Sequence, residues 1–234
     1  MAMIFEPQQT TLLKTTDDRT FPVSRVFCVG RNYAAHAREM GADPDREPPF
    51  YFTKWPEVVI NSDPLDKAEI VYPPETENYH HEVELVVAIG VGGFRIALAE
   101  ALKHVCGYAV GLDMTRRDLQ QEAKDKRRPW DSAKNVEESC PTGRLMMVAP
   151  DAPAPSGKIS LTVNGTVRQE ANLNELIWSV PEVIAHLSRY YTLRPGDLIY
   201  TGTPAGVAAV VPGDELVGEI SGLPGFRVRI GAAV

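Results

Sequence analysis

Two carboxylates one residue apart, Glu82 and Glu84, open the apolar run Leu85-Val86-Val87-Ala88-Ile89. In a β-strand residues i and i+2 lie roughly 6.5–7 Å apart on one face, so both acids point the same way. The unbroken apolar run behind them marks a strand buried on both faces. Two anions at the mouth of such a strand repel unless a cation is shared between them, and paired carboxylate oxygens suit a hard ion such as Mg²⁺, Mn²⁺ or Ca²⁺. The competing reading is a charged strand end open to water. Asp113 closes a second apolar run, Val105-Cys106-Gly107-Tyr108-Ala109-Val110-Gly111-Leu112, and is either a third acid of the same kind or a helix cap.

Other residues have types and spacings that suit acid–base and anion-binding chemistry. His36 and Glu39 are three apart on an expected helix, where a carboxylate beside an imidazole makes an oriented base. The plain alternative is a surface His-Glu pair. Lys54 ends the aromatic stretch Phe50-Tyr51-Phe52-Thr53-Lys54 and either meets an acidic ligand or caps an exposed strand. Arg117 and Gln120 share one face of a basic helix, and Lys134 follows Trp130. The loop Thr201-Gly202-Thr203-Pro204-Ala205-Gly206-Val207 would let backbone N–H groups and a threonine hydroxyl approach an anion closely, or is simply a turn.

The elements that must position these residues are mainly strands. Arg25-Val26-Phe27-Cys28-Val29 is a short buried strand ended by Gly30, after which Asn32 is expected to cap a helix running to about Met40. Residues 41–49 form a polar, proline-bearing loop of a length suited to a flap. Ile96 to His104 has helical periodicity, and a basic amphipathic helix is expected from about Thr115 to Lys124. Lys124 to Arg128 reads as its solvated end. Asn164-Gly165 between two alternating runs predicts a hairpin with a type I′ turn. Ser179-Val180-Pro181 starts a helix whose Val183, Ile184, Leu187 and Tyr190 form an apolar stripe. Two C-terminal strands, 215–220 and 226–230, close a mainly antiparallel, β-rich α+β body.

The chain has 234 residues, enough for one sizeable core, with residues 1–20 read as a small N-terminal β extension and 21–234 as the main domain. Its 44% hydrophobic and 24% charged content is that of an ordinary globular protein. A net charge of −7 argues against nucleic-acid or anionic-membrane partners. No run approaches membrane-spanning length and the N-terminus has no signal pattern, so a cytoplasmic protein is expected. Cys28, Cys106 and Cys140 form neither a zinc pattern nor a disulfide framework.

The ordered motifs Gly30-Arg31-Asn32-Tyr33-x-x-His36-x-x-Glu39, His81-Glu82-x-Glu84, Leu112-Asp113-x-Thr115-x-Arg117-Asp118-x-Gln120, Trp130-x-x-x-Lys134 and Thr201-Gly202-Thr203-Pro204-x-Gly206-Val207 together resemble the fumarylacetoacetate hydrolase family. The resemblance runs from about Val23 to the end. It implies mixed, mainly antiparallel sheets in a roll- or barrel-like body with few short helices, and a homodimer. It implies that Glu82, Glu84 and Asp113 bind one Mg²⁺ or Mn²⁺, that His36 oriented by Glu39 activates water, and that Lys134 stabilises the enolate released. Arg31, Tyr33, Lys54, Arg117, Gln120 and Thr203 are the implied substrate contacts. The implied substrate is a small 2-oxo or dioxo acid. Within the family the short length and the Arg46-Glu47-Pro48-Pro49-Phe50 loop look most like hydrolases of fumarylpyruvate in aromatic (gentisate) breakdown. Trp55 and Ala208 depart from the usual pattern. Alternatives from the same resemblance are an acylpyruvase that decarboxylates oxaloacetate, and an isomerase or hydratase of unsaturated dicarboxylates. A metal-stabilised binding protein is the non-enzymatic alternative.

Overall fold

A computed structural model describes residues 4–6, 8–39, 47–63 and 68–233 of the chain. At its centre is the strand Val83–Ile89, in which every residue is buried. Val83, Leu85, Val87 and Ile89 enter one apolar cluster, while Val86 and Ala88 enter a second on the opposite face. This is how an unbroken apolar run satisfies the two-residue period of a strand covered on both sides. Full burial of each such side chain contributes about 1.5–3 kcal/mol.

Val83–Ile89 pairs antiparallel with Val105–Leu112 on one side and with Asp197–Tyr200 on the other. Arg25–Gly30 then lies parallel to Asp197–Tyr200, and Phe50–Lys54 antiparallel to Arg25–Gly30. Beyond Val105–Leu112 come Cys140–Thr142 and Val59–Asn61. Among the described residues this is an eight-stranded mixed sheet, with Met146–Met147 paired on Val105–Leu112. The strands at its two ends, Phe50–Lys54 and Val59–Asn61, are joined by the single 3₁₀ turn Pro56–Val58. The sheet therefore curls back on itself, in line with the expected roll.

A five-stranded sheet packs on the outside, in the order Thr166–Asn172, Lys158–Val163, Glu215–Ile220, Phe226–Ala233 and Ala68–Tyr72. The first apolar cluster fills the space between the two sheets. The hairpin Asn164-Gly165 forms as expected, both residues having positive φ (51° and 77°), as a type I′ turn requires. The N-terminal strands Leu12–Lys14 and Thr20–Pro22 pair antiparallel, and Leu13 and Phe21 join the second cluster inside the curl.

Several local expectations are corrected. Asn32 does not cap the helix Ala34–Glu39: it is fully buried, its Nδ2 donating to Thr201 O and Trp178 O and its Oδ1 accepting from Trp178 N. The basic helix spans Arg117–Asp125, because Thr115 and Arg116 are held extended by pairing with Tyr79 and His80. Leu98–His104 is a 3₁₀ helix. In the helix Val180–Leu187, Val183, Ile184 and Leu187 are buried, but Tyr190 lies past the last turn and is exposed. The expected flap at 41–49, apart from residues 47–49, lies outside the described residues. No helix among the described residues is long and apolar enough to cross a membrane.

Candidate active site

The antiparallel pairing of Val83–Ile89 with Val105–Leu112 brings the start of one strand beside the end of the other. Glu84 sits opposite Gly111, and Asp113 N donates to Glu82 O at 2.9 Å. Glu82, Glu84 and Asp113 each offer a carboxylate oxygen within 4.8 Å of the others, and all three residues are buried. The exposed-strand-end reading is thereby excluded. Asp197–Tyr200 ends at the same edge, so the following loop delivers Gly202 N to Glu84 Oε2 at 2.6 Å. Gly202 has a φ of +100°, and a Cβ there would lie 2.7 Å from that of Asn32, so the loop needs glycine at this point.

Three cations are drawn into this acidic cluster. Lys134 Nζ donates to Asp113 Oδ2 (2.6 Å), Glu82 Oε2 (2.8 Å) and Thr115 Oγ1 (2.7 Å). Arg117 Nη2 donates to Glu82 Oε1. Lys54 Nζ reaches Asp113 Oδ1 at 2.8 Å from the interior of the curled sheet. Burial would raise the Glu82 carboxyl, but Lys134 and Arg117 overcome it and hold the group well below its ordinary range. Among the described residues Glu84 has no such partner: burial, then Asp113 and Glu82, push it well above its ordinary value, against the pull of the Gly202 N–H. The cluster is thus short of positive charge at Glu84.

The His36–Glu39 pair lies on the same cleft. His36 Nδ1 is 3.2 Å from Glu39 Oε2, and Gly206 N donates to Glu39 Oε1 at 3.1 Å, so the Thr201–Val207 segment fixes the carboxylate that orients the imidazole. Burial lowers the His36 pKa below 6.5, although Glu82 and Glu39 act in the opposite sense. Its ring is therefore neutral near pH 7. Arg117 Nη1 donates to Gln120 Oε1 at 2.6 Å, which leaves the Gln120 amide nitrogen as the donor available to the cleft.

Thr203 gains a defined hydrogen-bond polarity from a residue that no local signal marks. Val83 N can only donate, so the Gln169 atom it meets at 3.1 Å is the carbonyl Oε1, which His81 Nδ1 also meets at 2.9 Å. The other end of the amide, Nε2, then donates to Thr203 Oγ1 and to Pro204 O, both at 2.8 Å. With its oxygen accepting from Gln169, the Thr203 hydroxyl keeps its proton for the cleft. Gln169 lies on the outer sheet, 86 residues along the chain from Val83.

The cleft is lined by Arg31, His36, Phe50, Phe52, Glu82, Glu84, Asp113, Arg117, Gln120, Lys124, Trp130, Lys134 and Thr203, among others. Phe50 and Phe52 share a strand face and meet Trp130 at ring separations of 5.6 and 5.7 Å. Lys124 is not a solvated helix end: it lines this cleft half-buried, and burial with Arg117 and Arg31 nearby pulls its ammonium down to about 8. Arg31 adopts a left-handed φ of 55° just after Gly30, a costly conformation for a residue with a Cβ. Two expected contacts lie elsewhere. Tyr33 packs in the core between the sheets, and Lys54 stands behind Asp113 as its ion-pair partner.

The donor set fits a divalent metal ion. It consists of three hard carboxylates, converging and buried, and one of them, Glu84, is held far from its ordinary ionisation by burial and then by its anionic neighbours.

The family described as "Fumarylacetoacetate (FAA) hydrolase C-terminal" matches residues 25–231. The chain is 48% identical over 196 residues to a fumarylpyruvate hydrolase of Ralstonia sp, covering 83% of this chain and 100% of that one. It is 38% identical over 205 residues to the mitochondrial oxaloacetate tautomerase of Homo sapiens, with 88% and 90% covered. Its fold matches the crystal structure of fumarylpyruvate hydrolase from Pseudomonas aeruginosa in complex with Mn²⁺ and pyruvate, with a TM-score of 0.96, 49% identity, and 99% and 100% coverage. With its five motifs gathered on one cleft and this likeness along nearly its whole length, the chain belongs to the fumarylacetoacetate hydrolase family.

Proposed function

We propose that this chain is a metal-dependent hydrolase of acylpyruvates, with fumarylpyruvate from aromatic-ring (gentisate) breakdown as its substrate and fumarate and pyruvate as its products. The observation that carries this reading is that a neutral, carboxylate-oriented imidazole and a buried three-carboxylate cluster face one cleft. The relative at 48% identity bears the name of that hydrolase, and the structural neighbour was crystallised with Mn²⁺ and pyruvate.

Mg²⁺ or Mn²⁺, held by Glu82, Glu84 and Asp113, would supply Lewis-acid polarisation of the 2-oxo acid oxygens. With Nδ1 occupied by Glu39, His36 presents Nε2 to the cleft and takes a proton from water there. The hydroxide adds to the acyl carbonyl. The carbon–carbon bond then breaks, its electron pair leaving on pyruvate as the enolate, and the proton held on His36 returns to that fragment. Lys134, among the cleft-lining groups, puts a fixed positive charge near the developing negative charge. The Thr203 hydroxyl and the Gln120 amide donate to substrate oxygens.

The likeness to oxaloacetate tautomerases favours a second reading, proton transfer on a 2-oxo diacid without attack by water. His36→Ala separates the two. Loss of acylpyruvate cleavage by 10²-fold or more, measured from the decay of enol absorbance, is expected if His36 activates water. Unchanged cleavage removes His36 from the mechanism. Wild-type protein that interconverts oxaloacetate tautomers but cleaves no acylpyruvate would favour the second reading.

A further inference from the structure

The cations of the cleft fall into two groups. Lys134 and Arg117 direct their donors to Glu82 and Asp113, with Lys54 behind them. Arg31 and Lys124 line the same cleft, yet among the described residues neither pairs with a carboxylate. Both are held in place by aromatic rings instead: Lys124 Nζ lies 5.4 Å from the Trp130 centroid, and the Arg31 guanidinium 5.6 Å from that of Phe50. Phe50 and Trp130 themselves touch edge to face.

The placement of Lys124 follows from its helix. Arg117, Gln120 and Lys124 stand at i, i+3 and i+7 of Arg117–Asp125, one face of which meets the cleft. A lysine half-buried beside two arginines, with Glu82 pulling the other way but no carboxylate in ion-pair contact among the described residues, is unfavourable unless an anion completes the arrangement. The rings of Phe50, Phe52 and Trp130 line the same cleft, Trp130 touching Lys124 and Phe52 touching Lys134, and offer a flat surface suited to a planar, conjugated acyl chain.

We propose that Lys124 is a specificity-determining residue that, with Arg31, receives the terminal carboxylate of the acyl chain, so that the cleft selects acylpyruvates bearing a second carboxylate. The assignment rests on the acylpyruvate reading above and adds to it the residues that recognise the far end of the acyl chain. The test compares fumarylpyruvate with acetylpyruvate, whose acyl chain is uncharged, in wild type, Lys124→Met and Lys124→Arg with Mn²⁺ present. The ratio of kcat/KM for the two substrates is expected to fall by about 10- to 100-fold in Lys124→Met and to recover at least partly in Lys124→Arg. A ratio within twofold of wild type in Lys124→Met overturns the proposal. If the wild type cleaves neither compound, the hydrolase reading fails, and calorimetric affinities of the same two uncleaved compounds decide the role of Lys124. The same fall in their ratio supports it, and an unchanged ratio or binding of neither overturns it.

Discussion

Lys134 Nζ lies 2.6 Å from Asp113 Oδ2, so the cation proposed to face the enolate is tethered to a carboxylate of the metal cluster itself. All three ammonium protons are donated to protein oxygens, those of Asp113, Glu82 and Thr115. The first consequence is for stability. Lys134→Met leaves two buried carboxylates without their shared cation, a loss of about 3–5 kcal/mol. For a domain of this size, that lowers Tm by about 6–20 °C in the presence of a chelator. Added Mn²⁺ should raise the Tm of the variant more than that of wild type, because it neutralises the same oxygens. Equal Tm values under chelation contradict the ion-pair account.

Glu84 governs how metal uptake depends on pH. Burial, Asp113 and Glu82 raise its pKa well above the ordinary value, so the metal-free carboxyl keeps its proton to higher pH than an ordinary glutamate does, and an incoming cation must displace that proton. Mn²⁺ binding is therefore expected to release protons and to tighten as pH rises from 6 to 8. Calorimetry in buffers of different ionisation enthalpy measures the release. Binding without proton release in this range contradicts the assignment. Glu84→Gln should weaken Mn²⁺ binding and abolish the coupled proton.

His36 sets the acid limb of turnover. Burial lowers its pKa below 6.5, and a general base acts only when neutral, so activity falls as pH drops through that lowered value. With metal saturating, the midpoint of the limb in kcat is expected below 6.5. Because Glu39 raises the His36 pKa, Glu39→Gln should move the midpoint further down and reduce kcat by about 10-fold through lost orientation. A limb centred above 6.5, or one that moves upward in Glu39→Gln, contradicts this role.

Gln169 fixes the direction of the Thr203 hydrogen bond. In Gln169→Glu the carboxylate still accepts from Val83 N and His81 Nδ1, but it can no longer donate to Thr203. The Thr203 hydroxyl then turns its proton toward residue 169 and presents only lone pairs to the cleft. KM for the acylpyruvate should rise about 10-fold with kcat changed less, while Thr203→Val should show a rise of similar size and little additivity with Gln169→Glu. Fully additive effects indicate that the two residues act separately.

The parts of this site that could be read in the sequence are those carried by short-range periodicity. Glu82, just before the strand, and Glu84 within it bring their carboxylates together, Arg117 and Gln120 share a helix face, and His36 meets Glu39 one turn on. The strand Val83–Ile89 is buried on both sides, as its unbroken apolar run requires. Long-range pairing left no such trace. The aromatic stretch ending at Lys54 suggested a ligand contact, but the curl of the sheet turns that side chain inward to Asp113. Asn32 has the composition of a helix cap, yet it serves instead to anchor the Thr201 and Trp178 backbones. Lys124 opens a basic run that reads as a solvated helix end, and its neighbours 126–128 are indeed exposed, but its place at i+7 from Arg117 brings it to the cleft. Gln169 follows a hairpin like any polar strand residue, and its partners come from two other elements.

The central claim is that the carboxylate cluster and the His36 pair cleave a carbon–carbon bond together. Its most direct test is product analysis of fumarylpyruvate incubated with purified protein and Mg²⁺ or Mn²⁺, following pyruvate by coupled reduction and fumarate by chromatography. The expected result is equimolar pyruvate and fumarate, lost on chelation, restored by added metal, and absent from both Glu84→Gln and His36→Ala. Full-rate cleavage in the chelated protein, or no pyruvate from the metal-loaded wild type, would contradict it.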